Sequence, residues 1–207
     1  MKRFLQIILV VAFIMALPIG NSAYAEENNV IYSNGNSVVY QNEDGSKTAL
    51  ISIPDDVKEG DSILVYSDSS TETYVYIDVA EMVDVPSTYS FGYGSNSWSG
   101  SVPDGTTKLI PHISTSVYTN IGFTMNITST GSTITSVSNP AITGLLVTVS
   151  NPTLSINNSI ATSSNYASAT MNWYAELTEG GLVVGSAYCY LQVYMNSYRE
   201  LRMEWYA

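Results

Sequence analysis

The chain has 207 residues, enough for one sizeable domain or two small ones. All 18 Asp and Glu lie beyond residue 25, where five Lys and Arg remain, so that part carries a net charge of −13. This argues against binding to nucleic acid or to an anionic membrane surface, because both need a basic patch. One Cys excludes an intrachain disulfide and one His excludes a multi-histidine metal centre.

Residues 1–25 read as an export signal. Lys2 and Arg3 form a positive start, Leu5 to Leu17 is apolar apart from Gln6, and Pro18 and Gly20 end any helix there. Ala23-Tyr24-Ala25 is the small-x-small pattern that a signal peptidase cuts, leaving Glu26 first. An apolar helix from Leu5 to Leu17 would span roughly 20 Å, short of the roughly 30 Å of a hydrocarbon core. No Cys lies near the junction to carry a lipid anchor, and Met203 to Ala207 contains no stop-transfer helix. The expected product is secreted, or held at the cell envelope without a covalent bond or a membrane span.

Charge divides the chain beyond residue 25. Residues 26–104 hold 14 acids and two bases, and residues 105–207 hold four acids and three bases. The expected organisation is an acidic β-meander over 26–85 and a β-sandwich over 86–207, with a single sandwich over 26–207 as the alternative. In the first part, Val30-Ile31-Tyr32 and Val38-Val39-Tyr40 flank Asn34-Gly35, a turn pair that tolerates positive φ. Asp44-Gly45 turns the chain before Thr48 to Ile51, and Asp61 introduces Ile63 to Tyr66. Val75, Ile77 and Val79 then alternate with Tyr74, Tyr76 and Asp78, and residues 80–85 fit a short helical turn. Residues 87–101 hold six Ser and three Gly, but Tyr89, Phe91 and Tyr93 keep period two, which reads as strand plus loop.

The second part alternates over longer stretches. Ile121, Phe123, Met125 and Ile127 face one way, and Leu145, Val147 and Val149 continue the pattern to Asn151-Pro152. Ala167, Ala169, Met171, Trp173, Ala175 and Leu177 form an apolar register long enough to require a bend or bulge. After Gly180-Gly181, Val183, Ala187, Cys189, Leu191, Val193 and Met195 share a face, and Leu201, Met203 and Trp205 close the chain. One apolar and one polar face per strand is the antiparallel pattern, so the fold class expected is an all-β antiparallel sandwich.

The Gly122-Phe123 strand, the Ile134-Thr135-Ser136 step and the Ala167 to Trp173 alternation resemble a loose class of small secreted Gram-positive bacterial proteins. In that class a signal peptide precedes a Ser/Thr/Asn-rich β domain of unassigned function. The resemblance covers roughly residues 105–207. It implies exported β structure and carries over no functional residue.

Few residues offer chemistry. His112, the one candidate base of a Ser-His-Asp triad, lies in Pro111-His112-Ile113, which reads as a strand start at an exposed or edge position; no Gly-x-Ser-x-Gly elbow accompanies it. Cys189 sits on an apolar face with Ala187 and Leu191, where a thiol behaves as a small core residue. Glu176 and Glu179 fall at a strand end and turn, while Glu200 and Glu204 flank Arg202 as a surface ladder. Neither pair suggests the cleft that glycoside hydrolysis needs. Asp55, Asp56, Glu59 and Asp61 could hold calcium weakly, but the spacing misses the EF-hand pattern and Lys58 opposes a cation. The expectation is no enzyme, no metal and no cofactor.

The tyrosines, 16 against four Phe, are the most informative feature. Tyr188, Tyr190 and Tyr194 occupy the polar face of their strand, and Tyr166 and Tyr174 the corresponding face of its hairpin neighbour. Such a surface can stack on sugar rings or cover a protein. It can also pack against the acidic N-terminal part. The expected role is an extracellular or cell-surface binding module for a cell-wall glycan or a protein. A secreted immunity or inhibitor protein is the alternative, and a carboxylate-dependent hydrolase a weaker one.

Overall fold

The computed structural model describes residues 29–54, 56–83, 106–116, 118–128, 132–144, 147–179 and 182–207. The export signal, Asp55 and the Ser-rich aromatic stretch 87–101 lie outside the described residues. Twelve strands are present among those described: β1 (Asn29–Ser33), β2 (Ser37–Gln41), β3 (Lys47–Ile51), β4 (Ser62–Asp68), β5 (Thr73–Val83), β6 (Thr106–Ser114), β7 (Tyr118–Thr128), β8 (Thr133–Gly144), β9 (Val147–Asn158), β10 (Ala167–Glu179), β11 (Leu182–Met195) and β12 (Leu201–Tyr206). They form two antiparallel sheets, one in the order β1-β2-β3-β12-β11-β10-β9 and the other β4-β5-β6-β7-β8. The protein is all-β, a sandwich of these two sheets over one apolar core.

Period-two patterning sets the inner faces. Val75, Ile77 and Val79 of β5, Ile121, Phe123, Met125 and Ile127 of β7, and Ala167 to Ala175 at alternate positions of β10 are buried. From β11 the core receives Cys189, Leu191, Val193 and Met195, and from β12 Leu201, Met203 and Trp205. Residues 80–83 continue β5 rather than forming a helical turn. Pairing of Glu81, Met82 and Val83 to Lys108, Thr107 and Thr106 of β6 holds them extended, with a bulge between Val79 and Glu81.

The two predicted N-terminal turns are both present. At Asn34-Gly35 the side chain does the work: Asn34 Oδ1 accepts the amides of Asn36 and Ser37, both at 2.7 Å. At Asp44-Gly45 a side chain acts again, joined by a backbone that needs glycine, with Gly45 at φ 87°. Ser46 donates its hydroxyl and amide to Asp44 there, and these bonds hold the Asp44 carboxyl below the usual carboxylate range.

Two Asn-Pro steps behave unlike the expectation that Asn151-Pro152 ends a strand. β9 runs through it, and β8 runs through Asn139-Pro140. Both asparagines take positive φ, 51° in each case, and the pairing register slips beside each step. β8 and β9 are the outer strands of their sheets. Proline cannot donate to a ladder, and a bulged edge resists pairing with another chain, so this is where such steps are tolerated.

The expected boundary between residues 85 and 86 does not divide these sheets. β12 pairs with β3, and β5 pairs with β6, so both sheets combine strands from the two sides. The described strands therefore form one sandwich. The charge shift along the chain marks composition, not a break in hydrogen bonding.

Candidate functional site

The outer face of the seven-stranded sheet carries the tyrosines in register. Tyr174 stands directly opposite Tyr188, Asn172 opposite Tyr190, Thr170 opposite Gln192 and Ser168 opposite Tyr194. β12 extends the rows, with Tyr206 opposite Tyr190, Glu204 opposite Gln192 and Arg202 opposite Tyr194. The strands β1–β3 continue this sheet edgewise beyond β12, so they lie beside the tyrosine face rather than over it.

The five predicted tyrosines separate into two groups. Tyr188 is 82% exposed, and its ring centroid lies 4.9 Å from that of half-buried Tyr174. Tyr166, also exposed, meets Tyr194 edge-on at 6.3 Å. Tyr190 and Tyr194 are instead tied to the sheet. The Tyr190 hydroxyl donates to Glu204 Oε1 at 2.9 Å and the Tyr194 hydroxyl to Oε2 at 3.4 Å. The Arg202 guanidinium lies 4.1 Å from the Tyr194 ring centre and 3.5 Å from the Glu204 carboxylate. Burial pushes the Tyr190 hydroxyl up to about 12, with the Glu204 carboxylate adding to it, and burial raises Tyr194 as well. Glu204 is thus the centre of a half-buried network and not a rung of an exposed ladder.

Beyond this face the β10–β11 hairpin projects past the core. Leu182 is 73% exposed, and Leu177, Val183 and Val184 are exposed beside it. Leu177 keeps the inward register of Ala175 but lies beyond the covered core, whereas the expected inward register of Val183 is lost because the pairing slips between Leu177 and Thr178. The chain after the slip turns to the other face, which period-two reading alone does not anticipate.

His112 is placed otherwise than expected. It lies within β6, between β5 and β7, opposite Tyr76 on one side and Gly122 on the other. Pro111 sits in the same inner strand, and the β6–β7 pairing is interrupted there while β7 slips at Phe123. His112 Nδ1 is 3.2 Å from Asp78 Oδ2, the Ser62 hydroxyl donates to Asp78 Oδ1 at 2.6 Å, and the Tyr76 ring lies 5.3 Å from the imidazole at 31°. The hydroxyl of Ser62 thus meets the carboxylate and not the imidazole, the reverse of the order that activates a serine.

A cleft of about 440 Å³ opens between the sheets where inward positions become small, at Ala175, Gly185 and Ala187. Tyr118 and Cys189 form its inner end. Cys189 is 4% exposed, its Sγ 3.8 Å from the Tyr118 hydroxyl, and burial raises its thiol above the ordinary value. That is the environment of an inert core thiol.

Among the described acids, Asp61 Oδ2 accepts the Lys58 amide at 2.7 Å, and Glu200 accepts the Asn196 side-chain amide at 2.6 Å. No group of three or more His, Cys, Asp or Glu converges as a metal site among the described residues. No helix among them is long and apolar enough to cross a membrane.

Sequence reading missed the Asp78–His112 pair, Tyr206 in the tyrosine rows and the exposed hairpin tip. The first two required the strand order. The third had a local signal, the run Leu182-Val183-Val184 directly after Gly180-Gly181. No protein-family model and no curated protein matches the chain. Among solved structures, a hypothetical protein from Listeria monocytogenes matches at 16% identity and a TM-score of 0.41, covering 70% of this chain and 93% of that one.

Proposed function

We propose that the protein is an exported, non-enzymatic binding module that acts outside the cell or at its surface and engages a cell-wall glycan or a protein through the tyrosine face. The observation that carries this reading is the Tyr188–Tyr174 pair, with ring centroids 4.9 Å apart and Tyr188 82% exposed. Tyrosine offers a wide contact area with few torsions to freeze, and its ring faces suit sugar rings. Export rests on the sequence of residues 1–25. Tyr190 and Tyr194 are tied to Glu204 and Arg202 further along the same face and are left out of the contact surface.

The test is retention of the protein beginning at Glu26 on insoluble cell wall and on polysaccharide. Tyr188→Ala and Tyr174→Ala should abolish retention with little change in melting temperature. Equal retention of both variants would overturn the reading.

The hairpin tip favours the second reading, an immunity or inhibitor protein. Leu177, Leu182, Val183 and Val184 add an exposed apolar patch on the same hairpin as Tyr188, and such patches mark protein contacts. A stoichiometric protein complex lost in Leu182→Ser and Val184→Ser, with no polysaccharide retention, would select it.

A further inference from the structure

We infer that the opposite sheet carries a second, independent site, a hollow around His112 that takes a neutral, hydroxyl-rich ligand such as a saccharide ring. The hollow has a volume of about 270 Å³ on the outer side of the five-stranded sheet, where Ile110, Phe123 and Ala141 line it together with the polar side chains of Asp78, His112, Asn120 and Asn139 and with Gly122.

Three backbone features open it. Gly122 stands opposite His112, and a Cβ there would come within 2.9 Å of His112 Cβ and 2.8 Å of the Pro111 carbonyl oxygen. Only glycine fits, and its missing side chain leaves that flank of the imidazole uncovered. β7 slips between Gly122 and Thr124 next to Pro111. On the next strand Asn139 takes a φ of 51° and donates its side-chain amide to Thr124 Oγ1 at 3.3 Å. Bulges of this kind re-aim side chains and are common beside binding sites.

The imidazole is held from two sides. Asp78 engages Nδ1 and is itself fixed by Ser62, while Tyr76 lies along the ring. A carboxylate at Nδ1 sets which ring nitrogen faces a ligand, and here that nitrogen is Nε2. The ligand class follows from the donor set. Carboxylate and amide oxygens and the imidazole Nε2 accept, and amide nitrogens donate, within one small hollow. Hydroxyl groups, which donate and accept at once, match such a mixture. An anion is disfavoured by Asp78. A metal ion would find one imidazole whose carboxylate neighbour is already engaged with Nδ1 and Ser62.

Because His112 is the single histidine, its two imidazole proton resonances report on this hollow alone. The protein beginning at Glu26 is titrated with the methyl glycosides of glucose, galactose and mannose and with N-acetylglucosamine, and in parallel with sodium acetate at matched ionic strength. At least one sugar should move the His112 resonances saturably, with a Kd of about a millimolar, as expected for few contacts. Acetate should not. Asp78→Asn and Asn120→Ala should each weaken binding about tenfold or more. The exposed Asn120→Ala change keeps the test open should Asp78→Asn disturb the fold. Tyr188→Ala should leave the titration unchanged, which separates this site from the tyrosine face. If no sugar moves the resonances, if acetate moves them equally, or if Asn120→Ala binds as the parent does, the inference fails, whatever the outcome of the retention test.

Discussion

Met203 in the last strand stands directly opposite Ala49 in the third, and both are fully buried. Through this pairing the end of the chain closes against its acidic beginning. A fragment spanning 86–207 should therefore fail to fold cooperatively. It lacks the core side chains Val39, Ala49, Ile51, Ile63, Val65, Val75, Ile77 and Val79, and it opens an edge on each sheet. Burial of each larger one contributes about 1.5–3 kcal/mol, so together they contribute about 10–20 kcal/mol, as much as the roughly 5–15 kcal/mol stability of a typical domain. Circular dichroism of the fragment without a sharp melting transition is the expected result.

Trp173 should be the costliest single truncation. It is 1% exposed, meets the Tyr118 ring edge-on at 6.1 Å and donates its Nε1–H to the Tyr118 hydroxyl at 3.4 Å. Trp173→Ala should cost about 3–5 kcal/mol, whereas Tyr188→Ala should stay within about 0.5 kcal/mol. Denaturant melts of the two variants side by side check the contrast.

The Glu204 network should stabilise more than its place on an outer face suggests. Tyr190→Phe should cost about 1–2 kcal/mol, because the bond it removes is to a carboxylate. Glu204→Gln should cost more, since it weakens both tyrosine contacts and the pairing with Arg202. Urea midpoints at neutral pH measure both; a Glu204→Gln midpoint equal to the parent's would contradict the network.

Alkaline conditions should destabilise the fold through one buried and one half-buried phenol. Tyr118 and Tyr190 are each pushed up to about 12, in both cases chiefly by burial. In the unfolded chain they ionise near 10. Between about pH 10 and pH 12 the unfolded state therefore loses protons that the folded state keeps, so stability falls as pH rises. Below about pH 10 their contribution is complete. Absorbance titration should show a late-ionising subset of tyrosines, and Tyr190→Phe should reduce the loss of melting temperature over that interval.

Cys189 should react with a thiol reagent only after unfolding. It is buried against Tyr118, with its thiol raised by that burial. Reducing agent should leave the melting temperature of dilute protein unchanged.

The strands, their inner faces and the shared face of the five tyrosines were legible in the sequence, because side chains alternate along a strand with period two wherever it ends up. Trp173, Phe123 and Met203 needed no partner strand to declare themselves core. What only the tertiary structure decided was partnership. Nothing local says that β3 pairs with β12 rather than ending an N-terminal unit, since that bond joins segments far apart in the chain. Pro111 misled as a strand start because its missing donor is accommodated by a slip in β7, a neighbour defined by the fold. His112 acquired Asp78, Ser62 and Tyr76 the same way, from strands that sequence separates and sheet order brings together. The division of the tyrosines into exposed Tyr188 and tethered Tyr190 was set by where β12 stops alongside β11. Faces are properties of a strand; exposure and chemistry are properties of its neighbours.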